Sequence, residues 1–188
     1  MKTNFYFLLS LFLVLGLSSC DDDEPECPII PNEEEVITTM TYTLTPDGGG
    51  ETVVLSFLDL DGDGGNDPII TGDTLTANTT YTGALDLLNQ AENPAESITE
   101  EVEEEAEEHQ FFFSSTLADL TVAYGDSDAE GNPLGLVTSV TTGAAGSGML
   151  TVILRHEPAK DAAGVSDGDI TNAGGETDIE VDFPVNVQ

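Results

Sequence analysis

From Ile179 to Val187 the chain alternates without a break. Ile179, Val181, Phe183, Val185 and Val187 fall on one parity, and Glu180, Asp182 and Asn186 on the other. A period of two places successive side chains on opposite faces of an extended strand, and no helix gathers those five apolar residues on one side. The same period returns upstream. Val36, Thr38, Met40, Tyr42 and Leu44 share one face, with Thr39, Thr41, Thr43 and Thr45 on the other. The stretch from Thr52 to Leu60 presents Val53, Leu55 and Phe57, and Thr79 to Leu88 carries Tyr81, Leu85 and Leu87. Further strands read at Phe111–Phe113, Leu120–Tyr124, Leu136–Thr142 and Met149–His156, separated by turns such as Pro46-Asp47-Gly48-Gly49. About eight short half-buried strands predict a mainly β fold, a single antiparallel β-sandwich that is immunoglobulin-like in outline. Pro184 lacks the N–H that a ladder needs, which predicts an edge or bulge position for the last strand there.

One segment departs from this pattern. Ser97-Ile98-Thr99-Glu100 fits a capping box, and Ile98, Val102 and Ala106 then recur every four residues. A short acidic helix over Ser97–His109 follows, its apolar stripe turned to the sandwich. Like charges four residues apart, Glu100 with Glu104 and Glu103 with Glu107, weaken it.

The amino terminus reads differently. Lys2 precedes a run from Phe5 to Leu17 that is apolar except for Ser10 and Gly16. That run is too short to span a bilayer and suits the core of an export signal. It ends at Leu17-Ser18-Ser19-Cys20, which is similar to a bacterial lipobox. The expected organisation is a signal peptide over 1–19, a lipidated acidic tether over 20–35 and a β-sandwich over 36–188. Acyl chains on Cys20 would hold the protein to the outer membrane. Asp21-Asp22-Asp23-Glu24, directly behind the cysteine, resembles the surface-export signal of Bacteroidota lipoproteins and implies the cell surface, with the periplasmic face as the alternative. Lipidation of Cys20 leaves Cys27 without an intramolecular partner, so no disulfide framework is expected.

Charge narrows the partners. The chain holds 37 acidic and 3 basic residues, a net charge of −34. Such a field repels nucleic acid and anionic lipid and favours cations. With no Trp and four Tyr, there is little aromatic surface on which sugars could stack.

Three acidic turns are candidate cation loops. Asp59-Leu60-Asp61-Gly62-Asp63-Gly64 matches the first half of a calcium loop, with alternate aspartates turned into one bend, and Asp67 falls at the ninth loop position. Ile70 stands where an EF-hand places a bidentate Glu, so a distant carboxylate would have to close the site. Asp126, Asp128 and Glu130 repeat the spacing more weakly, and Asp167 and Asp169 form another acidic turn. The two histidines are far apart in the chain. His156 shares a parity with Leu150, Val152 and Leu154, and His109 follows the glutamate run. They read either as rim histidines bonded to neighbours or as a transition-metal set, His109 and His156 with Glu157. Gly164-Val165-Ser166-Asp167-Gly168 spells a nucleophile elbow, but it follows a polar loop rather than a buried strand. No catalytic residue is expected.

From about Glu33 to Val187 the chain resembles a group of uncharacterised Bacteroidota lipoproteins. The resemblance rests on Asp59–Asn66, on Glu100–Phe113 with its EEHQFFF ending, on Arg155-His156-Glu157-Pro158 and on Ile170–Val181. Some members are labelled type 1 periplasmic-binding-fold proteins and some carry enzyme names. A type 1 periplasmic-binding protein is a two-lobed α/β fold, whereas this chain lacks an alternating βαβ pattern. The resemblance therefore implies the lipoprotein class. Together these readings lead to a membrane-anchored lipoprotein with a non-catalytic binding or structural role, stabilised by calcium. The alternative is a protein that captures a metal or small nutrient for an outer-membrane TonB-dependent importer.

Overall fold

The computed structural model describes residues 35–62 and 65–188. The signal segment, Cys20, Cys27 and Asp63 lie outside the described residues. Contacts divide the chain into Met1–Asn32 and Glu33–Gln188. Among the described residues no helix is long and apolar enough to cross a membrane.

The fold is mainly β and consists of two sheets. The larger is ordered β3 (Ile69–Thr71), β2 (Val53–Leu58), β1 (Thr39–Pro46), β5 (Thr80–Asn89), β9 (Val137–Thr141), β8 (Thr121–Tyr124), with the short β6 (Glu96–Ser97) on the end of β5. The smaller is ordered β4 (Asp73–Leu75), β11 (Glu176–Val187), β10 (Gly146–His156), β7 (His109–Ser115). Every pair is antiparallel except β11 with β4, which is parallel. The alternating residues meet in one core: Met40, Tyr42 and Leu55 from one sheet face Leu150, Val152, Val181 and Phe183 from the other. β4 pairs only with Val185–Val187, so Pro184 sits just where β11 has a neighbour on its β10 side alone.

The helix is shorter than its glutamate run. α1 spans Ile98–Glu104, and the Ser97 side chain accepts from the Glu100 N–H at its start. Ile98 and Val102 are buried, which anchors it to the sandwich. Its last turn carries no basic residue, so nothing offsets the like charges near the negative end of the helix dipole.

β7 begins with four consecutive buried residues, His109-Gln110-Phe111-Phe112, where alternation would leave two in water. The excursion from Glu157 to Gly175 explains this. It contains two 3₁₀ turns, Val165–Asp167 and Ile170–Asn172, and supplies Val165 and Ala173 as a second small core around Phe112. Gln110 Nε2 donates to the Val165 carbonyl and to the Tyr124 hydroxyl within that layer. His109 and Phe111 therefore face the main core, and Gln110 and Phe112 face the excursion. The GVSDG stretch lies in the first 3₁₀ turn and not in a strand-to-helix elbow.

Candidate functional site

His109 opens β7 and His156 closes β10, and the ladder sets them directly opposite each other. Their ring centroids are 4.5 Å apart. Both are buried, as the parity of His156 with Leu150, Val152 and Leu154 predicts.

A third group comes from β11. The register passes from Leu154–Ile179 to Arg155–Thr177, so Asp178 is the extra residue of a β-bulge. A bulge breaks alternation and re-aims a side chain. Counted outward from the inward-facing Ile179, Asp178 belongs on the solvent face; the bulge instead buries its carboxylate completely. One oxygen lies 3.8 Å from His109 Nε2 and the other 3.7 Å from His156 Nδ1. Two features hold the bulge. Gly174 and Gly175 both have positive φ, and a Cβ on Gly175 would collide with the His156 carbonyl. The Arg155 guanidinium donates to the Gly174 and Gly175 carbonyls and to the Thr177 hydroxyl.

Glu35 completes the inner group from the segment ahead of β1. Its Oε1 lies 3.8 Å from His109 Nε2. Glu35, His109 and His156 each bring a ligand atom within 4.8 Å of the others. Burial raises the Glu35 carboxyl above the usual range; the hydrogen bond from Glu101 acts against this, and the Asp178 charge adds to it. Glu101 is pushed up to about 7, first by burial and then by its hydrogen bond and charge contact with Glu35.

The tautomer of His109 follows from its surroundings. Its Nδ1 lies 3.2 Å from the Glu105 carbonyl, just past α1. A carbonyl can only accept, so Nδ1 carries the proton and Nε2 presents a bare lone pair. Nε2 is buried and has no hydrogen-bond partner. Burial lowers the His109 pKa to about 4, with the charges of His156 and Lys160 adding to the effect, so the ring is neutral at physiological pH. A second, more open group surrounds the other edge of His156. Its Nε2 lies 3.8 Å from Glu108, whose side chain is 53% exposed. Glu157 follows at φ 49° and brings its carboxylate to the same place.

The structure sets His109 beside His156, but Glu157 converges with His156 and Glu108 rather than with His109, so the expected three residues fall into two groups that share His156. Glu157 stands on the outer edge, while Glu35 and Asp178 take the inner positions. Sequence reasoning missed both. Glu35 lay in the expected tether, and the bulge at Asp178 leaves no mark in the alternation.

Described aspartates of the acidic loops make local hydrogen bonds. Asp59 Oδ1 accepts from the N–H groups of Asp61 and Gly62, and Asp61 Oδ2 from the backbone and side chain of Asn66. These bonds hold the Asp61 carboxyl below the usual range. Among the described residues, the loop's aspartates form no converging group with other metal-binding side chains. Asp126 accepts from the Gly135 and Val137 N–H groups. Asp128 accepts from the Glu130 and Asn132 N–H groups and from Lys160 Nζ at 3.0 Å. Glu130 is exposed. In this second loop the Lys160 ammonium takes the place of a cation, and it also donates to the Ala106 and Pro133 carbonyls.

No protein-family model matches the chain, and no curated protein matches it. Among solved structures it is similar to domains 4 and 5 of the S-layer protein SbsC. The identity is 15%, with 78% of this chain and 75% of that one covered, at a TM-score of 0.30.

Proposed function

We propose that this chain is an envelope lipoprotein whose β-sandwich binds a divalent transition metal of the zinc class. His109, His156, Asp178 and Glu35 are its ligands. One observation carries the reading: a buried, unprotonated imidazole nitrogen, His109 Nε2, with no hydrogen-bond partner and a carboxylate oxygen on each of two sides at 3.8 Å. An unsatisfied buried polar atom costs about 1–3 kcal/mol, and a cation among these donors removes that cost. Zinc bonds of about 2.0–2.2 Å set neighbouring tetrahedral donors about 3.3–3.6 Å apart, near the 3.8 Å from His109 Nε2 to Glu35 and to Asp178 and the 3.7 Å from His156 Nδ1 to Asp178. Two imidazoles and two carboxylates form a nitrogen–oxygen set, which suits zinc, iron(II) or manganese(II) better than copper(I). The Glu105 carbonyl on His109 Nδ1 is the outer partner that fixes a ligating tautomer.

The role is binding, with the metal either held for stability or carried for delivery to an outer-membrane importer. The full chain, purified in detergent, stripped by chelator and dialysed against zinc, should retain one tightly held zinc by elemental analysis. His109→Ala should lose it. Retention of zinc by that variant at wild-type affinity would reject the site. Anchoring rests on Leu17-Ser18-Ser19-Cys20. Cys20→Ala should abolish incorporation of a labelled fatty acid in cells, and equal labelling of both proteins would reject the lipid anchor.

A further inference from the structure

The two ring nitrogens of His156 face different carboxylates. Nδ1 looks inward to Asp178 at 3.7 Å, and Nε2 looks outward to Glu108 at 3.8 Å, with Glu157 beside it. The inner group is buried: the His109 and Asp178 side chains are fully buried, and Glu35 is only 13% exposed. The outer group is open, since Glu108 and Glu157 are both exposed. The same ring belongs to both groups.

We propose that Glu108, Glu157 and His156 Nε2 form a second, solvent-facing metal position that loads the buried one, with His156 as the shared ligand. The inference rests on the metal reading above and adds to it a route and an order of events. The cation is held first at the surface by Glu108, Glu157 and the outer edge of His156, and then exchanges those ligands for the inner ones around His109 without change of oxidation state. Because one ring serves one position at a time, the chain holds one metal at equilibrium, not two. The general acidic field concentrates cations everywhere on this surface. The outer group differs from the rest of that surface by adding an imidazole whose other edge belongs to the buried site.

The test is the rate of loading. The full chain in detergent, stripped of metal, is mixed with cobalt(II), and the visible absorption of the bound ion is followed in a stopped-flow instrument. The double variant Glu108→Gln with Glu157→Gln should load at least about tenfold more slowly than wild type. It should still reach one cobalt per chain. A charge-matched control, Glu51→Gln with Asp119→Asn, removes two exposed carboxylates at the opposite end of the strands, from the β1–β2 turn and the turn after β7. It should load at the wild-type rate. Equal rates for the outer variant and wild type would overturn the relay and leave the buried site standing. The metal would then arrive by another way, such as the cavity of about 470 Å³ that borders Val36, Thr38, Phe57 and Asp178. Equal slowing of variant and control would also overturn it, in favour of the overall field. No cobalt bound by any of the three proteins would reject the metal site itself.

Discussion

Two buried aspartates of this strongly acidic chain meet opposite surroundings. Asp128 sits in a loop with its side chain 1% exposed, and Lys160, itself 5% exposed, answers it at 3.0 Å. Backbone N–H groups fill its other oxygen, and the carboxyl is held below the usual range. Burial alone would raise it; the Lys160 contact and the backbone bonds together outweigh that. Asp178 is buried at least as deeply, but its facing groups in the sandwich are imidazoles, and one of them is neutral at physiological pH. The first arrangement is closed by a charge that the chain supplies. The second sets two imidazole rings beside the carboxylate, with Glu35 on the far side of His109 Nε2. The chain has only 3 basic residues, and both of those in the described part are spent on backbone carbonyls and Asp128. The difference teaches that acidity by itself does not mark a cation site here; what distinguishes the second setting is imidazole nitrogens beside the buried carboxylate.

The comparison can be broken most forcefully at Lys160. Lys160→Met leaves Asp128 buried without its cation and should cost about 3–5 kcal/mol of unfolding free energy. Denaturant melts of metal-free and zinc-loaded protein should both show the loss, because the Lys160–Asp128 contact is made without the metal. A loss confined to the zinc-loaded form would couple them and undo the contrast. Zinc should act only on the other side. At a hundred times its dissociation constant it should stabilise the wild type by about 2.7 kcal/mol. It should stabilise Lys160→Met at least as much, since a cation near His109 has been removed, and His109→Ala not at all, as read by thermal unfolding.

Acid gives a finer probe. The folded pKa of Asp128 lies below its unfolded value of about 3.8. The unfolded state therefore takes up the proton first as pH falls, and the contribution is fully present above about pH 4 and is lost below it. Wild type should lose stability on this account as pH falls below about 4, whereas Asp128→Asn should lack that part of the decline in a pH series of urea melts. An unchanged acid limb in the variant would mean that Lys160 contributes little to holding that proton off.

The smallest effect belongs to the Asp59–Asp67 loop. Its carboxylates already accept from their own loop, so calcium gains less order there than zinc does between the histidines. Extracellular calcium modules bind at about 10⁻⁴–10⁻³ M, and millimolar calcium should raise the melting temperature by only a few degrees beyond sodium at matched ionic strength. Asp59→Asn with Asp61→Asn should remove that calcium-specific part, since asparagine keeps the turn but not the charge. Equal calcium response in wild type and variant would make the loop an acidic turn and nothing more.

The sequence by itself determined every element whose evidence is local. Alternation placed Met40, Tyr42, Val152 and Phe183 in the core, because side-chain period follows from backbone geometry alone. Ser97 marked the helix start for the same reason: its cap bonds reach only three residues along the chain. Parity also turned His156 inward. Tertiary structure decided the rest. That His109 stands opposite His156 depends on the register of β7 on β10, a pairing between distant segments to which no local pattern responds. That Asp178 turns inward depends on a bulge held by Arg155 and by the room at Gly175. Ladder register lies between chains of residues, and one added residue reverses every parity beyond it. Lys160 reaches Asp128 for a like reason, since two loops meet only when the sheets beneath them are assembled. The candidate site is made of these long-range meetings, and so its histidines were named in advance while its two inner carboxylates were not.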